Sequence, residues 1–247
     1  MGSEMCIRDR IEYAGWVAGV DLAFHQDGSP VVCWGILGDP FTLKVAERTP
    51  GGWTIEAVPA EGQDPRFPTL AIDGNDRIAI AYSNNESPGG IWITRRQVTG
   101  WERTEVIPEP CSLPQLATAP YGALALVARR SFAQATHVTY VEETPSEWSL
   151  DDADTNARSA SPRGPGFLPG EEPVLAYYVN IADTGDPVRE VRVLWRDTET
   201  WNISVPFPPE GNTSSWVGWL TGVSTDGTVV LTVSERDTSN SYIALLW

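Results

Sequence analysis

The sequence predicts an all-β fold, a β-propeller of five four-stranded blades. Three observations predict it. Matching segments recur at a nearly constant spacing, with Trp53 and Trp101 48 residues apart and Trp148 47 further on. Repetition at this period is the mark of propeller blades. No apolar run of 3.6 periodicity and helical length is free of Pro and Gly. The joints between apolar runs carry turn chemistry: Asp27-Gly28, Asp73-Gly74, Thr99-Gly100 and Asp226-Gly227.

The first unit, 18–60, opens with "LAFHQDGSPVVCW" from Leu22 and continues as "FTLKVAERTPGGWTIEAV". The second, 66–109, repeats this without a gap as "LAIDGNDRIAIAY" from Leu70, then "GIWITRRQVTGWERTEVI". Its strands are expected at Thr69–Ile72, Arg77–Tyr82, Ile91–Gln97 and Trp101–Ile107. The third, 112–153, reads "LATAPYGALALVA" from Leu116 and "THVTYVEETPSEWSLDD". The fourth, 160–207, holds "EEPVLAYY", "VREVRVLW" and "ETWNISV", and the preceding "LDDADTNARSASPRGPG" reads as a loop between blades. The fifth, 214–247, holds "WLTGVSTDGTVVLTV" and "SYIALLW" and shows no outermost strand. Runs such as "IAIAY" and "ALALVA" lack strict alternation, as expected of strands covered on both faces. A propeller can complete its last blade with a strand from the other terminus, here near Arg8–Ala14. The same repeats also suit five consecutive blades of a six- to eight-bladed ring. Residues 11–247 are expected to form one propeller domain.

The chain carries 17 Lys+Arg against 33 Asp+Glu, a net charge of −16. A field of that sign repels phosphate backbones, so nucleic acid is not an expected partner. No apolar segment approaches the ~20 residues of a membrane span. Cys6, Cys33 and Cys111 form no CxxC pair or metal spacing, and Cys33 reads as a small buried hydrophobe. His25 and His137 are the only histidines and belong to no metal or triad pattern, so no metal or cofactor is expected.

The stretch "PTLAID" from Pro68, the "IAY" from Ile80, and the Gly-Trp pairs opening outer strands at Gly52 and Gly100 resemble sialidase-like, BNR-type repeat proteins. The resemblance covers about 18–247 and implies a propeller with a ligand face. It implies no particular activity, because that superfamily mixes sialidases, lectin-like modules and interaction domains. The Asp box Ser-x-Asp-x-Gly-x-x-Trp of the sialidases is absent, "STDGTVV" at Ser224 coming nearest. Their catalytic residues cannot be carried onto positions of this chain. The leading "MGSEMCIRDR" resembles translated sequencing-adapter read-through of a metagenomic fragment, so 1–10 is expected to be a non-native leader.

The site candidates follow from the repeat. The residue before each "Leu-Ala" is Asp21, then Thr69, then Gln115, with Leu220 in the last unit. Asp21, Thr69 and Gln115 are the candidate ligand residues at the channel mouth, where register is fixed and chemistry varies. Trp53, Trp101, Trp148 and Trp201 recur at one blade position and are expected to pack between blades. Trp16, Trp92, Trp216 and Trp219 lie outside that register and are the aromatic ligand candidates. A propeller glycosidase needs two carboxylates about 5–10 Å apart across the channel, and only one of the aligned positions is acidic. The expected function is therefore a non-catalytic, extracellular or surface-associated module binding a carbohydrate or protein partner. The rival expectation is a glycoside hydrolase or sialidase-like enzyme acting at the central channel.

Overall fold

The computed structural model describes residues 11, 16–38, 41–60, 64–84, 89–132, 135–158, 160–180, 189–207, 216–235 and 241–246. They form five antiparallel sheets, four of four strands and one of three, and no helix among them is long and apolar enough to cross a membrane. Blade 1 holds β1 (Val17–Phe24), β2 (Pro30–Ile36), β3 (Thr42–Thr49) and β4 (Gly52–Val58). Blade 2 holds β5 (Pro65–Ile72), β6 (Ile78–Asn84), β7 (Gly90–Gln97) and β8 (Gly100–Ile107). Blade 3 holds β9 (Cys111–Thr118), β10 (Leu124–Ser131), β11 (Thr136–Glu143) and β12 (Trp148–Asp154). Blade 4 holds β13 (Ser161–Phe167), β14 (Pro173–Asn180), β15 (Arg189–Asp197) and β16 (Thr200–Phe207), and blade 5 holds β17 (Trp216–Val223), β18 (Val229–Glu235) and β19 (Ser241–Leu246). Each sheet is a meander in chain order. The leader 1–10 and the strand expected near Arg8–Ala14 lie outside the described residues.

The second strands explain why these sequences choose this architecture. Six of the seven residues of β6 are buried on both faces, as are the first five of β10. Such strands must be covered on both sides, and stacking blades face to face does this. The core is accordingly a series of slabs between successive blades. Val31, Cys33, Leu43 and Val45 of blade 1 pack with Leu70, Ile78, Ile80 and Tyr82 of blade 2. Similar slabs join blades 2 and 3, 3 and 4, and 4 and 5. The inner strands touch in the order β1, β5, β9, β13, β17, with no comparable contact between β17 and β1 among the described residues.

The turns follow the sequence with one difference. Gly28 takes a φ of 85°, as its Asp-Gly turn requires. At Asp73-Gly74 the left-handed residue is instead Asp76, with φ 61°. Gly74 is needed for another reason: its N–H donates to the Gly122 carbonyl at 2.9 Å, and a Cβ there would sit 2.6 Å from the Gly122 Cα. The turns of blades 2 and 3 thus meet backbone to backbone.

The segment read as a loop before the fourth blade is mostly strand. Asp151, Asp152 and Asp154 lie in β12, and "SPRGPGF" forms β13, the inner strand of blade 4. Its Gly and Pro residues disguise it because the strand is bulged. Pairing with β14 shifts between Arg163 and Gly166, around Gly164 at φ 111° and a cis Gly164-Pro165 bond.

Candidate functional site at the channel

Every inner strand carries a bulge, and strand pairing, not sequence alignment, defines the common position. Asp21 lies opposite Cys33, Thr69 opposite Ala81 and Gln115 opposite Val127, each the fourth residue of its second strand. The fourth residues of β14 and β18 are Ala176 and Thr232, and they face Arg163 and Trp219. The position thus runs Asp21, Thr69, Gln115, Arg163, Trp219 around the ring. The bulge between Leu220 and Gly222 displaces the last one by a residue, so Trp219 rather than Leu220 is the equivalent. Arg163 escapes sequence reasoning because its strand is written in Pro and Gly.

Asp21 and Thr69 are brought together. The Thr69 hydroxyl donates to Asp21 Oδ2 at 2.8 Å, and the Leu70 N–H donates to the same oxygen at 2.8 Å. Asp21 Oδ1 accepts the N–H of Leu22, also at 2.8 Å. Thr69 repeats the arrangement one blade on, its Oγ1 accepting the Leu116 N–H at 3.2 Å. Gln115 does not continue the chain, because its amide donates to the Pro114 carbonyl of its own strand at 2.7 Å. The half-buried Arg163 has no hydrogen-bond or ion-pair partner among the described residues.

Just ahead of this position the backbone is strained in two blades. Phe67 and Leu113, each two residues before the register position, take φ of 52° and 54°. A left-handed non-Gly residue costs about 1–2 kcal/mol, and such outliers cluster where a strand is re-aimed towards a ligand.

The second-to-third-strand loops and the connections between blades lie at one end of the ring, here the loop end, where several arginines stand among the described residues. Arg66 pairs with Asp64 at 2.9 Å and lies over the Phe41 ring. Arg192 bridges Asp154 and Glu190 at 2.6 Å each. Asp154, which the Tyr177 hydroxyl also bonds, is pushed up by burial but held below the usual carboxylate range by Tyr177, Asn156 and Arg192. Among the described residues Arg129 and Arg189 find only neutral acceptors, the Ser112 hydroxyl at 3.1 Å and the Asn180 amide oxygen at 3.2 Å. With Arg163 they form a set of guanidinium groups that no carboxylate neutralises among the described residues.

The aromatic candidates separate. Trp16 is 82% exposed beside β1. Trp92 packs on the slab between blades 1 and 2 and lies under Arg103. The side chains of Trp216 and Trp219 lie outside the described residues. At the opposite, turn end of the ring a cavity of about 480 Å³ is lined by Phe24, Gln26, Ile72, Asp73 and Tyr121 among others. Its Asp73 is already paired with Arg77 at 2.7 Å. No three His, Cys, Asp or Glu side chains converge as metal ligands among the described residues.

No protein-family model matches the chain, and no curated protein matches it by sequence. Solved structures do. The α-L-arabinofuranosidase Arb93A of Fusarium graminearum, in complex with an iminosugar inhibitor, is 18% identical with a TM-score of 0.60, over 92% of this chain and 77% of that one. The Penicillium chrysogenum α-L-arabinanase complexed with arabinobiose is 14% identical with a TM-score of 0.64, over the same shares. The Hadza microbial sialidase Hz136 is 14% identical with a TM-score of 0.56, over 92% of this chain and 58% of that one. The fold is thus a β-propeller of the kind shared by glycosidases and sialidases.

Proposed function

We propose that this propeller is carbohydrate-active, binds a glycan at the loop-end mouth of its channel and hydrolyses a glycosidic bond there. The observation that carries the reading is the register position Asp21, Thr69, Gln115 and Arg163 together with Arg129 and Arg189, arginines that no carboxylate pairs with among the described residues. Guanidinium groups held by neutral partners keep donors for sugar hydroxyls or a sugar carboxylate. The similar structures, an α-L-arabinofuranosidase, an α-L-arabinanase and a sialidase, support a sugar as the ligand. An extracellular setting suits a polysaccharide substrate. In this reading Asp21 supplies one of the two carboxylates that glycoside hydrolysis requires, and a loop must supply the second, since no other register position is acidic.

A specific observation favours the second reading, a non-catalytic glycan-binding module. Both oxygens of Asp21 already accept hydrogen bonds, one of them two, so the carboxylate is engaged in joining blades. One experiment separates the readings. The protein is assayed for release of chromophore from aryl α-L-arabinofuranosides and sialosides and of reducing ends from arabinan. Calorimetry measures binding of the corresponding oligosaccharides. Turnover that falls at least about 100-fold in Asp21→Asn, a loss typical of a removed general acid or base, with the fold retained, establishes the hydrolase. Binding without turnover establishes the module, and neither binding nor turnover overturns the carbohydrate reading.

A further inference from the structure

Outside the register ring, one exposed aromatic at the loop end is braced by ring and cation contacts, the only exposed aromatic so held among the described residues. Phe132 follows β10 directly, in the loop between the second and third strands of blade 3, and is 43% exposed. Its ring centroid lies 4.5 Å from that of His137, the two planes tilted by 52°. The Arg130 guanidinium lies over the same ring, 4.9 Å from its centroid. Both supports converge on one carboxylate: Arg130 reaches Asp152 Oδ2 at 2.8 Å and His137 Nδ1 lies 2.9 Å from it. The Thr139 hydroxyl fixes the other oxygen of Asp152 at 2.7 Å. Partial burial pushes the Asp152 carboxyl up, but Thr139, His137 and Arg130 together hold it below its ordinary range, so it stays ionised and keeps both supports.

Water gives no reason to hold an apolar ring in this way. An exposed Phe loses rotamer freedom when it is clamped, and leaving its apolar surface in water recovers nothing. Other exposed apolar residues lack such a clamp among the described residues. Val98 stands fully out at the β7–β8 turn, and Phe24 extends from the uncovered face of β1. Phe132 is instead braced by a cation and an imidazole, which a carboxylate two strands away fixes in turn. An aromatic plane immobilised before binding, with its ordering entropy already lost, is the arrangement that favours a ligand with a flat apolar face.

We propose that Phe132 is a pre-organised stacking platform for a sugar ring of the glycan bound at the loop end, with Asp152, Arg130 and His137 as its positioning residues. The proposal rests on the carbohydrate reading above and adds a subsite to it, on blade 3 and distinct from the Asp21 register. The ligand class is a saccharide that presents a face of C–H bonds. A C–H face stacks on the ring as other apolar groups do, while Arg129, on the opposite face of β10, serves a different part of the site.

The test is calorimetric titration of arabinobiose, longer linear arabinan oligosaccharides and 3′-sialyllactose into wild type, Phe132→Ala, Phe132→Trp and Asp152→Asn. The expected result is binding to wild type that weakens at least tenfold in Phe132→Ala, with an unchanged unfolding midpoint, and that Phe132→Trp retains. Asp152→Asn is expected to weaken the same ligand while leaving Phe132 in place. A 4-fluorophenylalanine label at 132 would then show a broadened or shifted ¹⁹F signal, which a purely structural Asp152 would not produce. Equal affinity of wild type and Phe132→Ala for a bound oligosaccharide overturns the platform and leaves the carbohydrate reading intact. Absence of binding to wild type by every probe overturns both.

Discussion

Asp21 joins two blades through a single oxygen. The inner strand β5 has a neighbour on one side only, so some of its N–H groups must find acceptors beyond the sheet. Leu70 finds Asp21 Oδ2, and the Thr69 hydroxyl shares that oxygen. Thr69 then serves Leu116 of blade 3 in the same way. Replacing Asp21 by Ala removes the acceptor of two donors at the blade interface and is expected to cost about 2–3 kcal/mol, while Thr69→Val loses one bond to that carboxylate and one long neutral bond but leaves the Leu70 N–H its acceptor, and is expected to cost about 1–2 kcal/mol. Urea unfolding at constant m-value measures both. A cost below about 0.5 kcal/mol for Asp21→Ala would mean that water replaces these bonds and that the carboxylate is free for chemistry. The thiols show the same dependence on packing. Burial pushes Cys111 up to about 12 and raises Cys33 further, so both behave as core hydrophobes, as the apolar setting of Cys33 in the sequence implies.

Between elements, the recurrent tryptophan forms a clasp that points backwards along the chain. Trp101 of blade 2 donates its indole N–H to Glu56 of blade 1 at 2.7 Å, and Trp201 of blade 4 donates to Asp151 of blade 3 at 2.7 Å. An arginine at the end of the third strand completes each clasp: Arg96 reaches Glu47 and Glu56, and Arg196 reaches Glu142 and Asp151. Between blades 2 and 3 the charges are reversed, Arg95 reaching forward to Glu143 at 2.7 Å beside Trp148. Trp53 holds the same position in blade 1, but its buried indole N–H has no acceptor among the described residues. Trp101→Phe and Trp201→Phe are therefore expected to cost about 1–2 kcal/mol more than Trp53→Phe, the worth of a hydrogen bond to a charged acceptor. Thermal unfolding of the three variants checks this, and equal losses would mean that the indoles act by packing alone. The spacing made the interblade packing of Trp101, Trp148 and Trp201 legible, while Trp53 joins no buried cluster among the described residues. The sequence left the clasp illegible, because its acids, from Glu56 to Asp151, stand at positions where charge alone marks an ordinary solvated face. Arg163 was hidden for a different reason, since a bulged strand with Gly and Pro carries no alternation to read.

At the scale of the whole molecule, one repeat position shows which faces of the ring are covered. Leu22, Leu70 and Leu116 open matching "Leu-Ala" segments, and the last two are 4% and 7% exposed because each packs on the blade before its own. Leu22 is 52% exposed, between Val20 at 68% and Phe24 at 58%. The face of blade 1 that bears them is built to the interblade pattern, down to the indole of Trp53, yet among the described residues no blade packs against it. The periodic sequence could not reveal this, because identical residues in identical local patterns differ only in what the ring sets beside them. Stability should therefore respond to neighbours and not to residue type. Leu70→Ala and Leu116→Ala empty a closed slab and are expected to cost about 2–4 kcal/mol each. Leu22→Ala removes a half-exposed side chain from an open face and is expected to cost under about 1 kcal/mol. Chemical denaturation of the three variants, at protein concentrations spanning about two orders of magnitude, measures the contrast. A cost for Leu22→Ala matching the other two at every concentration would show the face of blade 1 covered in solution. A cost that appeared only at high concentration would show it covered by a second molecule, since association stabilises by mass action.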